Sequence, residues 1–168
     1  LGFYGDVSKD MFLAGITGTN GKTTTSYLLE SLFKIKFGQV GLIGTINYRF
    51  GNRVIPAINT TPGVLDIYSL LSNMKDSDIG ASILEVSSHA LDQGRVDTIA
   101  FDIAIFTNLT REHMDYHVDL DSYLRSKMKL FTKIKENGYA IINADEDCAG
   151  KIIDRVRKEK NINIITYG

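Results

Sequence analysis

A glycine-rich stretch at residues 15–25 constrains the fold of this chain more than any other feature. An apolar run at 11–14 precedes it and an amphipathic run begins at Tyr27, which gives the order strand, glycine loop, helix. That order places backbone N–H groups and a helix N-terminus around one concavity, where they favour a phosphate group. The sequence therefore predicts a phosphate-binding loop rather than an empty glycine turn.

The glycine spacing departs from a strict Walker A motif. Ile16 stands where that motif has its first glycine, and Gly15 lies one place early, so the loop reads G-x-x-G-x-x-G-K-T. Lys22 can reach the β- and γ-phosphates of a nucleotide, and Thr23 can offer its hydroxyl to a magnesium ion. The residues predicted to bind the nucleotide are Gly18, Thr19, Asn20, Gly21, Lys22, Thr23 and Thr24.

Composition sets the class of protein. The chain has 168 residues, of which 43% are hydrophobic and 23% charged, and its net charge is −1; these values are typical of one globular domain. Such a charge balance argues against a nucleic-acid or membrane-binding face. Because there is one cysteine, Cys148, and no apolar run long enough to span a bilayer, we expect a cytoplasmic protein. Both ends are apolar, so we expect residues 1–168 to belong to a longer chain.

Apolar periodicity alternates between strand and helix along the chain. This predicts an α/β fold with a mainly parallel sheet, helices on both faces, and a small β-hairpin insertion around 51–53. In the helix after the loop, the spacing predicts that Leu28, Leu32 and Ile35 are buried beside Leu29 and Phe33. The predicted strands are 11–17, 40–43, 79–86, 101–106, 139–142 and 162–165, with hairpin strands at 46–50 and 54–56; the other predicted helices are 64–71, 121–135 and 145–158.

In parallel sheets, ligands bind beyond the carboxyl ends of the strands. Glu85 ends the run Ala81-Ser82-Ile83-Leu84, at a position where a core strand usually has another apolar side chain. A carboxylate there can hold a metal ion against phosphates; the alternative is a pair with a neighbouring lysine or a cap for the next turn. Ser87 and Ser88 adjoin His89, but the Gly-x-Ser-x-Gly elbow of hydrolases is missing, so no serine nucleophile is expected.

Two more candidates stay open on the residues alone. His113 lies in a loop dense in possible ligands, yet magnesium prefers oxygen ligands and a solvated polar loop fits the sequence as well. Lys127 has mostly apolar neighbours at helical spacing, and a desolvated lysine becomes nucleophilic. The spacing nevertheless favours a stem on apolar surface with the ammonium reaching solvent. The lysines predicted to form a solvated face are Lys129, Lys133 and Lys135.

Taken together, the motifs resemble the central, ATP-binding domain of the Mur ligases of bacterial peptidoglycan synthesis. The resemblance covers nearly the whole chain, and it is strongest to the members that add the third amino acid of the peptide. The motifs that carry it are residues 18–24, 59–62, 85–91, 107–117 and 123–127.

The resemblance implies an ATP-dependent acid–amino-acid ligase that extends UDP-N-acetylmuramoyl-L-Ala-D-Glu through an acyl phosphate. Lys22 is then expected to bind the phosphates, and Thr23 and Glu85 to hold one magnesium ion. A second magnesium ion is expected on Glu85, on His113 and on Lys127 carbamylated by carbon dioxide. The residues expected to touch the UDP-N-acetylmuramoyl dipeptide are Asn59, Thr60, Thr61, Ser87, Gln93 and Arg95.

The resemblance also limits what residues 1–168 can do. Mur ligases have an N-terminal UDP-binding domain and a C-terminal domain that binds the amino acid, and neither is expected within this chain. We therefore expect the isolated chain to bind ATP weakly and to make no peptide bond. Whether the amino acid is diaminopimelate or lysine stays open.

Three alternatives remain. Another Mur ligase or a folylpolyglutamate synthase would share the loop and the chemistry with a different substrate. A non-catalytic ATP-binding switch module would need neither a carbamate on Lys127 nor the residues Ser87, Gln93 and Arg95. A structural domain with an empty loop would gain no stability from Mg-ATP.

Overall fold

A computed structural model describes residues 7–110, 119–159 and 161–168. These residues form one eight-stranded sheet and its flanking helices. The strands are β1 (Phe12–Thr17), β2 (Val40–Ile43), β3 (Asn47–Phe50), β4 (Arg53–Pro56), β5 (Ala81–Glu85), β6 (Phe101–Phe106), β7 (Ile134–Asn143) and β8 (Asn163–Tyr167). The helices are α1 (Lys22–Phe37), α2 (Val64–Lys75), α3 (Ser88–Asp92), α4 (Leu120–Met128) and α5 (Ala149–Val156), and a 3₁₀ helix covers Lys129–Lys133.

The sheet is mainly parallel, as the alternation of strands and helices predicts. Its strand order is β4-β3-β2-β5-β1-β6-β7-β8, and all neighbours from β2 to β8 pair in parallel. The predicted hairpin, β3 and β4, adds two antiparallel strands at one edge. Pro56 lies on the outer strand β4, where its missing N–H interrupts no ladder between strands.

Helices cover both faces of the sheet. On one face, Ala14, Ile16 and Ile83 form a core against which Leu29 and Phe33 of α1 pack. Strand side chains alternate between faces, so Leu13 and Leu84 point into the opposite core. That core contains apolar side chains from α2, α3, α4 and α5. The parallel sheet therefore has the two-sided burial that its apolar strands require.

The prediction of which α1 side chains are buried is correct for Leu29 and Phe33, which pack on the sheet, and wrong for three others. Leu28, Leu32 and Ile35 are 64%, 61% and 85% exposed. The helix carries two apolar stripes at helical spacing, and the one that contacts the sheet contains Leu29 and Phe33. Hydrophobic periodicity identifies apolar stripes on a helix, but it does not indicate which of two stripes packs against the sheet.

The helix predicted over 121–135 is too long. α4 stops at Met128, a 3₁₀ helix follows, and the chain enters β7 at Ile134. The register against β6 then shifts between Phe101 and Ile103. A Cβ on Gly138 would lie 2.8 Å from the backbone oxygen of Asp102, so this glycine permits a close approach between β6 and β7.

The predicted solvated lysine face is only partly correct. Lys129 is exposed and pairs with Asp92. The side chains of Lys133 and Lys135 are only 12% and 22% exposed, and they pair with Asp97 and Asp102, respectively. The prediction assumed that all three lysines lie on one helix. Lys135 lies in β7 instead, so helical spacing does not describe its position. α5 is likewise shorter than the helix predicted over 145–158.

An ion pair joins the hairpin to α1. The guanidinium of Arg49 on β3 donates two hydrogen bonds to the Glu30 carboxylate and stacks 4.0 Å from the ring centre of Tyr27. Burial by itself would raise the pKa of Glu30, but the hydrogen bonds from Arg49 and Lys34 outweigh it, and the pKa is lowered. The hairpin is thereby fixed against the helix that follows the glycine loop.

Within the described ranges, no helix is long and apolar enough to cross a membrane.

The two apolar stripes of α1 give a matched pair of substitutions. Leu29→Ala removes a side chain packed on the sheet, so it should lower the free energy of unfolding by about 1–3 kcal/mol. Leu32→Ala makes the same chemical change on the exposed stripe and should change it by less than about 0.5 kcal/mol. Urea denaturation of the two variants measures both values. Equal losses would mean that the exposed stripe is packed.

Candidate active site

The glycine loop between β1 and α1 has the shape that its sequence predicts. Gly18 and Gly21 have φ values of +149° and +81°, conformations that residues with a Cβ rarely adopt. A Cβ on Gly18 would lie 1.9 Å from Oγ1 of Thr107. Position 18 therefore requires glycine both for its backbone conformation and for the close approach of Thr107, the residue that follows β6.

Residues that follow β6 hold the loop in place. The backbone N–H of Asn20 donates to Oδ1 of Asn108 at 2.8 Å, and the N–H of Thr19 donates to the Asn108 carbonyl at 2.9 Å. The Thr107 hydroxyl donates to the Asn20 carbonyl at 2.7 Å. Residues 107–108 directly follow the predicted strand 101–106, but no pattern in the sequence indicates that they support the loop.

The loop opens a cleft of about 260 Å³ at the N-terminus of α1. No side chain in the described part of the molecule caps this helix end, so its N–H groups and dipole favour an anion. The Lys22 ammonium donates to the carbonyls of Gly18 and Thr19 at 2.9 and 2.7 Å. The cleft is lined by Thr19, Asn20, Gly21, Lys22, Thr23, Thr24, Thr45 and Thr60.

Glu85, at the end of β5, is completely buried beside this cleft. Its Oε2 accepts hydrogen bonds from the hydroxyls of Thr23 at 2.9 Å and Thr45 at 2.7 Å, and its Oε1 accepts one from Ser26 at 3.0 Å. Among the described residues its partners are hydroxyl groups, so the alternative of a lysine pair is not borne out.

Sequence reasoning missed Ser26 and Thr45. Ser26 lies three residues after Thr23 and so faces the same side of α1. Thr45 comes two residues after the end of β2, the strand next to β5. The rule that ligands bind beyond the carboxyl ends of parallel strands could have pointed to Thr45.

The donor groups around Glu85 suit a magnesium ion. Magnesium is usually bound through one or two carboxylates together with phosphate and water oxygens, in addition to a P-loop hydroxyl. Glu85 and Thr23 supply the carboxylate and the hydroxyl next to the predicted phosphate site. Over the ranges that the structure describes, no group of three or more His, Cys, Asp and Glu residues forms. His113 lies outside the described residues.

A second cleft, of about 280 Å³, adjoins the first. It is lined by Lys22, Asn59, Thr60, Thr61, Ser87, His89 and Arg95. Lys22 and Thr60 line both clefts. Five of the six residues expected to touch the UDP-N-acetylmuramoyl dipeptide therefore line one cleft. The sixth, Gln93, accepts hydrogen bonds from Arg95, which lines the cleft.

Some of these side chains also hold the cleft together. The Thr61 hydroxyl donates to the Glu85 carbonyl at 2.8 Å and accepts from the Ser87 N–H at 3.0 Å. Arg95 donates to the Thr61 carbonyl at 2.7 Å. Tyr48 of the hairpin donates to the Asn59 carbonyl at 2.6 Å. The 59–61 segment is thus fixed to both β5 and the hairpin.

Lys127 is buried rather than solvent-reaching. Its side chain is among the largest fully buried ones, with 1% exposure, and the ammonium lies 4.0 Å from the ring centre of Tyr123. The Tyr123 hydroxyl is 3.3 Å from Oγ1 of Thr19 in the glycine loop. Lys127 thus contacts Tyr123, which in turn contacts the glycine loop. Its ammonium is buried, so the prediction that it reaches solvent is wrong.

A parallel α/β sheet, a glycine loop that opens a helix, and a carboxylate at the end of a neighbouring strand define a P-loop nucleotide-binding domain. The family model described as the Mur ligase middle domain matches residues 16–168. The chain therefore belongs to the Mur ligase family.

Similar proteins agree with this assignment. The chain is 43% identical over 172 residues to the UDP-N-acetylmuramoyl-L-alanyl-D-glutamate–2,6-diaminopimelate ligase of Geobacter sulfurreducens, covering 99% of this chain and 33% of that protein. A solved structure of a ligase of the same name has a TM-score of 0.84 and 31% identity, covering 94% of this chain and 32% of that one. The chain spans about a third of the length of these relatives.

A more distant solved structure shows the fold alone. It is FolC from E. coli in complex with DHPP and ADP, with a TM-score of 0.70 and 21% identity, covering 98% of this chain and 45% of that one.

Proposed function

We propose that this chain is the ATP-binding part of a ligase that adds the third amino acid to UDP-N-acetylmuramoyl-L-Ala-D-Glu in peptidoglycan synthesis. The observation that carries the proposal is the junction of the two clefts at Lys22 and Thr60. A phosphate in the first cleft and a carboxylate in the second would meet beside one ammonium group. The names and identities of the relatives support the same activity.

The first cleft would bind ATP with its phosphates on the α1 N-terminus. Lys22, now hydrogen-bonded to loop carbonyls, would turn to the β- and γ-phosphates, and Thr23 and Glu85 would hold a magnesium ion. When bound, magnesium neutralises charge on the phosphates during transfer. Burial of Glu85 strengthens its attraction for the cation, because water does not screen the carboxylate there.

The second cleft would hold the dipeptide end of the nucleotide sugar. Arg95 carries a guanidinium that suits two-point binding of a carboxylate, and Asn59 and Thr60 offer polar groups from the segment that lines the cleft. The D-glutamyl carboxylate oxygen attacks the γ-phosphorus, the bond to the β-phosphate oxygen breaks, and ADP leaves. The amine of the incoming amino acid then attacks the acyl carbon, phosphate leaves, and the amine loses a proton.

Lys127 would supply an oxygen ligand to a second magnesium ion. Its nitrogen attacks carbon dioxide, a proton is released, and the resulting carbamate is an anion. Glu85 and His113 would complete the protein side of this second site. The burial of Lys127 against Tyr123, whose hydroxyl contacts Thr19 of the glycine loop, supports the assignment.

The remaining parts of the reaction would come from outside residues 1–168. We propose that an N-terminal domain binds the uridine nucleotide and a C-terminal domain binds the amino acid in the full-length protein. The relatives' names support diaminopimelate as that amino acid. The residues that select it over lysine would lie in that C-terminal domain.

Phosphate release by the full-length protein tests the activity. Release should require ATP, UDP-N-acetylmuramoyl-L-Ala-D-Glu and diaminopimelate together, and Lys22→Ala should lower kcat/KM by about 100-fold or more, because it removes the cation at the transferring phosphate. Lys34→Ala, on the exposed side of the same helix, is the matched control and should keep the activity. The isolated 168-residue chain should release none.

The alternatives give different results in this assay. Release with a folate and glutamate instead would indicate a folylpolyglutamate synthase. ATP binding with no release under any substrate combination would indicate a switch module.

Carbon-13 NMR tests the carbamate on Lys127. Full-length protein equilibrated with ¹³C-bicarbonate should show a carbamate resonance that disappears in Lys127→Ala. Lys129→Ala removes an exposed lysine two residues away and should keep the resonance, because it leaves Lys127 in place. A spectrum without the resonance in the wild-type protein contradicts the assignment.

A further inference from the structure

One hydroxyl group connects the two clefts. Oγ1 of Thr45 donates to Oε2 of Glu85 at 2.7 Å, and the same oxygen lies 3.1 Å from Oγ1 of Thr60. Glu85 belongs to the nucleotide side of the site, whereas Thr60 belongs to the segment that lines the second cleft. Within the described ranges three hydroxyls donate to the Glu85 carboxylate, and that of Thr45 also contacts Thr60.

Chemistry fixes the direction of these hydrogen bonds. An ionised carboxylate accepts only, and a hydroxyl has a single proton to donate. Since Thr45 donates its proton to Glu85, the hydroxyl of Thr60 must be the donor between the two threonines. Thr60 therefore donates to Thr45, and Thr45 donates to Glu85. Thr45 can accept from Thr60 in this way because its own proton points to Glu85.

The backbone path independently ties this segment to the carboxylate. Gly44 precedes Thr45, and a Cβ on Gly44 would lie 2.4 Å from Oε1 of Glu85. The chain leaving β2 thus passes directly against the carboxylate, in a space that admits no side chain. Thr45 is consequently held beside Glu85 by the backbone as well as by its own hydrogen bond.

We propose that Thr45 is a positioning residue that couples binding of the UDP-N-acetylmuramoyl dipeptide to binding of the magnesium nucleotide, an inference that rests on the proposed function. A substrate that orders Thr60 would strengthen the Thr60–Thr45–Glu85 chain and so hold the Glu85 carboxylate in its metal-binding orientation. Binding linkage is reciprocal, so the nucleotide would tighten the dipeptide by the same factor.

Valine in place of Thr45 keeps the shape and removes the hydroxyl. Glu85 then loses one hydrogen-bond donor and Thr60 loses its acceptor. Loss of a hydrogen bond to a charged group changes an equilibrium constant by roughly tenfold or more. Serine keeps the hydroxyl. Thr132→Val is a matched control, since it removes an exposed hydroxyl that donates to the Lys129 carbonyl within the 3₁₀ helix.

Calorimetry on the full-length protein measures the coupling. The affinity for Mg-AMPPNP, a non-hydrolysable ATP analogue, is determined with and without saturating UDP-N-acetylmuramoyl-L-Ala-D-Glu. The dipeptide should tighten the analogue by at least about fivefold in the wild-type protein, in Thr45→Ser and in Thr132→Val. The ratio of the Kd for Mg-AMPPNP without the dipeptide to the Kd with it measures this effect. In Thr45→Val this ratio should fall to near one. Thr60→Val breaks the chain from its other end and should lower the ratio as well.

Amide hydrogen exchange gives a readout that needs no ligand. Thr45→Val should speed exchange in residues 59–61, whereas Thr45→Ser and Thr132→Val should not.

The outcomes separate this proposal from the proposed function. If wild-type protein binds both ligands but Thr45→Val keeps the wild-type ratio, or Thr45→Ser loses it, the coupling role is overturned and the proposed function stands. If wild-type protein binds the nucleotide but not the dipeptide, the proposed function fails and the coupling role fails with it. If Thr45→Val does not fold, Thr60→Val and Thr45→Ser decide by the same ratio.

Discussion

The burial of the Glu85 carboxylate is the constraint on which the rest of the site depends. A buried carboxylate costs several kcal/mol unless hydrogen bonds replace the water that it loses. Here the replacements are hydroxyls from two separate segments, Thr23 and Ser26 on α1 and Thr45 after β2. Their convergence fixes the start of α1, the end of β2 and the end of β5 relative to one another, which is why two clefts form at this edge of the sheet.

The strand order explains why these segments meet. β5 lies between β1 and β2, and β6 lies on the other side of β1. All four strands run parallel, so their carboxyl ends lie at one edge. The chain leaves β1 for β2 through α1 on one face and leaves β5 for β6 through α3 on the other, the type of switch point at which open α/β sheets bind ligands.

Features set by local sequence could be predicted. The glycine loop, the strand that contains Glu85 and the hairpin each follow from residues adjacent in the chain, and the structure contains all three. Features set by distant partners could not. The buried stripe of α1 depends on which side meets the sheet, and the burial of Lys127 depends on Tyr123 and the glycine loop. Ser26 and Thr45 acquire their roles only through Glu85, 59 and 40 residues away along the chain.

A crystal structure of the full-length protein with manganese and a non-hydrolysable ATP analogue tests most directly whether Glu85 is a metal ligand. Anomalous scattering locates the cation without reference to the protein chain. We expect a peak about 2.1 Å from one Glu85 carboxylate oxygen and from Oγ1 of Thr23, against the nucleotide phosphates. A cation bound elsewhere, with the Thr23 hydroxyl still donating to Glu85, would contradict the account.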